Sequence, residues 1–60
     1  MRFIIQYFKE KRLLGEKPSI GTMKAAQNAA RDGLIVYSAD FAKILDERGQ
    51  EAMLVKRANS

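Results

Sequence analysis

The chain contains no cysteine, no histidine and no tryptophan, and only one of its 60 residues is a proline. Without cysteine no disulfide can form, and without cysteine or histidine the usual ligands of zinc and haem are missing. The absence of cysteine also fits a reducing compartment. We therefore expect no metal, no cofactor and a cytoplasmic location.

Long apolar runs are absent as well. The longest span four residues, such as Leu34 to Tyr37. A membrane-spanning helix needs about 20 apolar residues and a secretory signal about 7 to 15. Near the start of the chain, the apolar residues Phe3 to Ile5 are interrupted by Gln6. The sequence therefore predicts neither a membrane span nor a secretory signal.

The composition is that of a small globular domain, with 47% apolar and 30% charged residues. At this length there is room for a single domain, which buries only about 60% of the surface of its unfolded chain. We therefore predict one compact domain over residues 1–60, with residues 58–60 frayed.

The first half of the chain reads as a strand, a second strand and a helix. Residues 2–8 are aromatic and β-branched, and their alternation places Phe3, Ile5 and Tyr7 on a fully apolar face. A turn at residues 9–11 leads to a short second strand near 12–17, where Gly15 indicates either a bulge or a frayed end. A helix is predicted over 22–32.

The predicted helix has Thr22 as its N-cap and Ser19 as a competing start. Met23 and four alanines lie along one side of it at helical spacing, and Gly33 is predicted to end it in the left-handed conformation. We expect the inner face of the helix to pack on the apolar face of the first strand. The predicted core therefore joins residues from both elements: Phe3, Ile5, Ala26, Ala30 and Leu34.

Residues 39–57 allow two interpretations. In the first they form a hairpin, with strands at 41–46 and 51–57 joined by a type I turn from Asp46 to Gly49. In the second they begin with another helix, capped by Ser38 and ended by Gly49. We prefer the hairpin, because residues 52–55 have no helical stripe. The predicted fold class is α+β: a small antiparallel sheet of three or four strands with one helix on one face.

Enzyme chemistry has little to build on in this sequence. Histidine and cysteine are absent, and nothing near the serines or Thr22 marks an activating partner. The acidic residues near Asp46 suit a turn and a solvated face, and the glycines are too scattered for a phosphate-binding loop. We therefore expect a non-enzymatic protein with no catalytic residues.

The net charge of +4 belongs to the first half of the chain. Residues 1–30 carry six basic and two acidic side chains, whereas residues 31–60 carry five of each. Such an excess can bind phosphates or an acidic protein surface, or it can simply keep a loop solvated. The candidate partner-binding residues lie around the end of the first strand: Phe8, Lys9, Lys11, Arg12 and Lys17.

The second face of the predicted sheet is also partly apolar. It carries Ile4, Phe8 and at least one of Phe41 and Leu45, and a single helix can cover only the other face. A contiguous apolar patch of this kind indicates an interface. We expect it to pair with a copy of itself in a homodimer, the alternative being that it is kept free for a foreign partner.

The layout of strand 2–8, helix 22–32 and hairpin 41–57 in a cysteine-free chain resembles small phage and mobile-element proteins, such as the anti-CRISPR inhibitors. The resemblance covers the layout of most of the chain and no diagnostic motif, so it assigns no functional residue. It implies an inhibitor that occupies a surface on a larger complex.

The sequence as a whole predicts a binding protein that acts on a protein or nucleoprotein partner through a basic and partly apolar surface. Direct binding of nucleic acid by the lysines and arginines near the first strand is the alternative. Salt separates the two, because phosphate contacts weaken steeply as salt rises and an apolar interface does not.

Overall fold

The computed structural model describes residues 1–57. Four antiparallel strands form one sheet, and a single helix packs on one of its faces. The predicted α+β fold class is thereby confirmed, including the hairpin over residues 41–57. The predicted fraying of residues 58–60 lies outside the described residues. The elements in chain order are β1 (Arg2–Lys9), β2 (Arg12–Ile20), α1 (Met23–Val36), β3 (Phe41–Leu45) and β4 (Glu51–Lys56).

The sheet has the order β2-β1-β3-β4, so β1 and β3 are the central strands. The β1–β2 ladder shifts register between Tyr7 and Phe8, where Leu14 is the extra residue of a bulge beside Gly15. The β3–β4 turn is fixed by Asp46, whose Oδ1 accepts hydrogen bonds from the backbone N–H groups of Arg48 and Gln50 at 2.9 and 3.0 Å.

The core lies between α1 and the sheet. The predicted core residues are all buried in one cluster, and the structure adds Tyr7 and residues from β3 and β4 to them. The spacing of alanines lets α1 approach the strands closely, although Ala25 is exposed. The core cluster comprises Phe3, Ile5, Tyr7, Ala26, Ala30, Leu34, Ala39, Ala42, Ile44 and Val55.

The ends of α1 confirm one prediction and correct another. Thr22 is the N-cap, and its hydroxyl accepts from the N–H of Ala25 at 3.2 Å. The competing start at Ser19 is wrong, because that residue belongs to β2. The predicted stop at Gly33 is also wrong: the helix continues to Val36, and the left-handed residue that follows it is Ser38, with φ 54°.

Gly33 is required for packing, not for ending the helix. A Cβ atom at this position would collide with the ring of Tyr7 on β1. The glycine therefore allows the helix backbone to lie directly on the tyrosine. Residues 1–57 contain no helix with the length and apolar character that crossing a bilayer requires.

Candidate functional site

The end of the sheet where β1 stops gathers positive charge from two segments of the chain, the β1–β2 turn and the end of β4. Phe8 pairs with Phe41 and Phe41 pairs with Lys56, so the end of β1, the start of β3 and the end of β4 lie side by side. The β1–β2 turn lies at the same end. We call this region the basic end; its cations are Lys9, Lys11, Arg12, Lys56 and Arg57.

Backbone hydrogen bonds hold these segments together at Asp40. The Asp40 N–H donates to the carbonyl of Phe8 at 2.8 Å, and the Arg57 N–H donates to the carbonyl of Asp40 at 3.0 Å. The Asp40 carboxylate accepts from the backbone N–H of Glu10 at 2.8 Å. That bond stabilises Glu10, whose φ of 57° is uncommon for a residue with a side chain.

The basic end has five cations and two acidic residues, Glu10 and Asp40, and all seven side chains are exposed. The net positive charge of this small region is sufficient to attract an anionic surface, with a range of about 8–10 Å at physiological salt. Lys9 and Arg12 are cross-strand partners and surround a shallow depression floored by Leu14. The basic end is therefore partly apolar on the side of the sheet that carries the helix.

The structure separates the five residues that the sequence singled out. Lys9, Lys11 and Arg12 belong to the basic end. Phe8 points to the opposite face of the sheet from Lys9, since alternate residues of a strand face opposite sides. Lys17 pairs with Ile5, which places it about 13 Å along the strands from Lys9. The contact of these five residues with a partner stays a prediction.

Two cations of the basic end were not found by sequence reasoning. Lys56 and Arg57 come from the last strand, in the half of the chain with no net charge. Only the register of β4 on β3 and of β3 on β1 brings them to the β1–β2 turn. The alternation of residues within each strand contains no signal for that register.

The sheet face opposite α1, called the open face from here on, carries a second candidate surface. The rings of Phe8 and Phe41 stack on it at a centroid distance of 5.1 Å, and the Lys43 ammonium lies 5.2 Å from the Phe8 centroid. The prediction that this face holds Ile4, Phe8 and at least one further apolar residue agrees with the register, which places both Phe41 and Leu45 there. Its large apolar side chains are Ile4, Phe8, Leu13, Ile20, Phe41, Leu45 and Leu54.

A groove runs between α1 and β2 on the other face. Tyr7 lies at its floor, with Lys17, Asp32 and Tyr37 among its walls, and its volume is about 230 Å³. The Tyr7 hydroxyl donates to the carbonyl of Ala29 at 3.2 Å, and the rings of Tyr7 and Tyr37 are 4.9 Å apart. Burial raises the pKa of Tyr7, and the neighbouring Tyr37 and Asp32 raise it further.

The raised pKa of Tyr7 predicts a loss of stability in alkali. An unfolded tyrosine loses its proton near pH 10, whereas the folded chain retains the proton to higher pH. The stabilising contribution is therefore complete below pH 10 and disappears as the pH rises through the native pKa. Above pH 10, we expect the free energy of unfolding to fall more steeply for the wild type than for Tyr7→Phe.

Urea denaturation at a series of pH values from about 8 to 11 measures this difference. Parallel pH profiles would show that Tyr7 has the same pKa in the folded and unfolded chains.

No protein family matches this chain, and neither does any curated protein or any solved structure.

Proposed function

We propose that this protein is a non-enzymatic binding protein whose basic end engages an anionic surface of a protein or nucleoprotein partner. The observation that supports the proposal is that five cations from two separate segments, residues 9–12 and 56–57, meet at one end of the sheet. These two segments are more than 40 residues apart in the chain, and the register of the sheet brings them together. The proposal includes a cytoplasmic location, which a chain without cysteine fits.

Inhibition is the activity that such binding would produce most directly. A chain of 6.8 kDa that covers an anionic surface of a larger complex blocks that surface to other ligands. The layout resemblance to anti-CRISPR inhibitors and other phage or mobile-element proteins points to the same mode of action. The depression around Leu14 adds a small apolar contact between Lys9 and Arg12.

Charge reversal tests the proposal. The double variant Lys11→Glu, Arg12→Glu should lose partner binding by at least about tenfold, because each substitution replaces an attraction by a repulsion. Both side chains are exposed, so the free energy of unfolding should change by only about 0.5 kcal/mol. The matched control is Lys24→Glu, Arg31→Glu, which makes the same charge change on the exposed side of α1.

The measurement is affinity capture from a nuclease-treated lysate of the organism that encodes the protein, followed by mass spectrometry. Proteins that the wild type and the α1 control retain, and that the reversed variant loses, support the proposal. An identical set of proteins on all three baits would remove the basic end as the binding surface.

Direct binding of nucleic acid is the second candidate, and the Phe8–Phe41 pair favours it. Single-stranded nucleic acids are bound by sheets that combine exposed aromatic rings with neighbouring cations, and here the ring pair adjoins Lys56 in the β3–β4 ladder. Fluorescence anisotropy with labelled single-stranded oligonucleotides of about 20 nucleotides, repeated over a salt series, measures this binding. Tight, salt-sensitive binding would show that the partner is a nucleic acid and not a protein.

A further inference from the structure

The open face is too apolar to be an ordinary solvated surface. Ile4, Leu13 and Leu54 are 39, 48 and 42% exposed, and Phe8, Phe41 and Leu45 lie between them, half-buried. Together with Ile20, which is 76% exposed beside Arg2, seven large apolar side chains lie on this face across all four strands. Patches of this kind on small domains mark interfaces.

The Phe8–Phe41 pair can enter a packed interface without rearrangement. The two rings are nearly parallel, with an interplanar angle of 10°, and already stack on each other. The Lys43 ammonium approaches the Phe8 ring as well. An apolar surface can cover the pair as it stands.

The register makes the open face complementary to itself. Across the boundary between β1 and β3, Ile4 pairs with Leu45, Gln6 with Lys43, and Phe8 with Phe41. Consider a two-fold axis that runs parallel to this boundary, in the plane between two stacked sheets. Such an axis places β1 of one copy over β3 of the other. Phe8 then lies against the partner's Phe41, and Ile4 lies against the partner's Leu45. Along β1 and β3, each apolar residue thus meets an apolar residue.

The positions of the charged side chains on the open face are also compatible with this two-fold axis. Arg2 and Glu47 lie on opposite sides of the axis, where the Arg2 N–H donates to the Glu47 carboxylate at 3.2 Å. The axis places the Arg2 side chain of each copy beside the partner's Glu47, so that two equivalent ion pairs form. In the outer strands, Glu16 faces the partner's Leu54, and Lys56 faces the partner's Leu13. No two like charges are opposed.

The central polar row keeps partners within each copy, which lowers the cost of burying it. Gln6 donates to the Glu16 carboxylate at 3.1 Å. The Lys43 ammonium lies 3.9 Å from the Glu51 carboxylate, which is too far for a hydrogen bond. Burying this ion pair still costs desolvation energy, which the apolar side chains beside it must offset.

The area is that of a weak but specific dimer. The two longest extents of the molecule are 30 and 21 Å, and covering a face of that size buries about 600 Å² per copy, or about 1,200 Å² in total, the lower limit for specific interfaces. Two twisted sheets pack face to face with their strands within about 30° of each other, which keeps the central rows opposed.

We propose that the occupant of the open face is a second copy of this chain. The two sheets stack about the β1–β3 boundary, with the two helices on the outside. This dimer does not depend on the proposed function, because Lys9 and Arg12 lie on the face that carries the helix and, of the cations in the ladders of the basic end, Lys56 is the one that the interface covers.

Sedimentation equilibrium from about 1 to 500 µM tests the dimer, whose dissociation constant we expect at about 1–100 µM. The weight-average mass of the wild type should rise from 6.8 kDa towards twice that value. Phe8→Glu and Leu54→Glu should both stay monomeric, and Leu54 is exposed enough for that variant to remain folded. The matched control Ile35→Glu, at a 76% exposed position on α1, should dimerise like the wild type.

The orientation has its own test. Arg2→Glu should weaken the dimer by about tenfold, and adding Glu47→Arg should restore it, since the exchanged pairs attract again. A wild type that stays monomeric at about 500 µM overturns the proposal and leaves the face to a foreign partner. A dimer that Phe8→Glu and Leu54→Glu leave intact places the interface elsewhere. If Arg2→Glu combined with Glu47→Arg does not restore the dimer, the two-fold axis along the β1–β3 boundary is wrong.

Discussion

Replacing Ile5 by Ala is expected to lower the free energy of unfolding by about 2–5 kcal/mol. Ile5 is 1% exposed at the centre of β1, packed between its strand neighbours and α1. The substitution removes buried apolar surface and leaves a cavity that the surrounding side chains fill only in part. A domain of this size has little more than about 5 kcal/mol in total, so the variant should be close to unfolded at ambient temperature.

Urea denaturation followed by circular dichroism measures the loss. For a small domain with an m-value of about 1 kcal/mol/M, the midpoint should fall by about 2 M or more. Ile20→Ala is the matched control, because Ile20 is 76% exposed and its truncation should change stability by only about 0.5 kcal/mol. Coincident curves for the wild type and Ile5→Ala would contradict the core described above.

Gly33→Ala is expected to destabilise the protein by about 2–3 kcal/mol, although alanine is the better helix former by about 1 kcal/mol. The new Cβ would overlap the Tyr7 ring, so the helix and β1 must move apart. That movement loosens the core and strains the hydrogen bond from the Tyr7 hydroxyl to the Ala29 carbonyl. The steric cost exceeds the gain in helix propensity.

A double-mutant cycle with Tyr7→Leu tests the cause. If the ring is the obstacle, Gly33→Ala should cost much less in the Tyr7→Leu background, with a coupling of about 1–2 kcal/mol. Gly15→Ala serves as the control glycine, since no atom lies within 4 Å of a Cβ placed there. Additive effects of Gly33→Ala and Tyr7→Leu would refute the close approach.

The strands and the core could be predicted because their signals are local. Alternation along residues 2–8 is enough to place Phe3, Ile5 and Tyr7 inside, and the absence of a helical stripe in residues 52–55 favours the second hairpin over a helix. Each of these signals depends on the conformation of a few consecutive residues. Local physical chemistry therefore determined most of the element boundaries.

The end of the helix could not be predicted in the same way. Glycine after a run of helix formers is a common stop signal, but Gly33 serves a contact with Tyr7 from another element. Tertiary packing decided the role of the residue, and the helix ran on through Leu34 to Val36.

The candidate surfaces were predicted in part for a related reason. Alternation alone determines which residues share the open face. The pairing of β1 with β3 determines which of these residues become neighbours. That pairing joins segments more than 30 residues apart and placed Phe41 beside Phe8. It likewise assembled the basic end from Lys9 and Lys56.

The strand order β2-β1-β3-β4 also determines how the molecule resists a mechanical load. Arg2 begins β1 at one end of the sheet, and Lys56 finishes β4 at the other, because β1, β3 and β4 alternate in direction. A force that pulls these two residues apart acts lengthwise along the β1–β3 and β3–β4 ladders. The interstrand hydrogen bonds run across the strands, so they are sheared together instead of opening one after another. A pull between the start of β1 and the end of β4 is therefore resisted by the hydrogen bonds of both ladders at the same time.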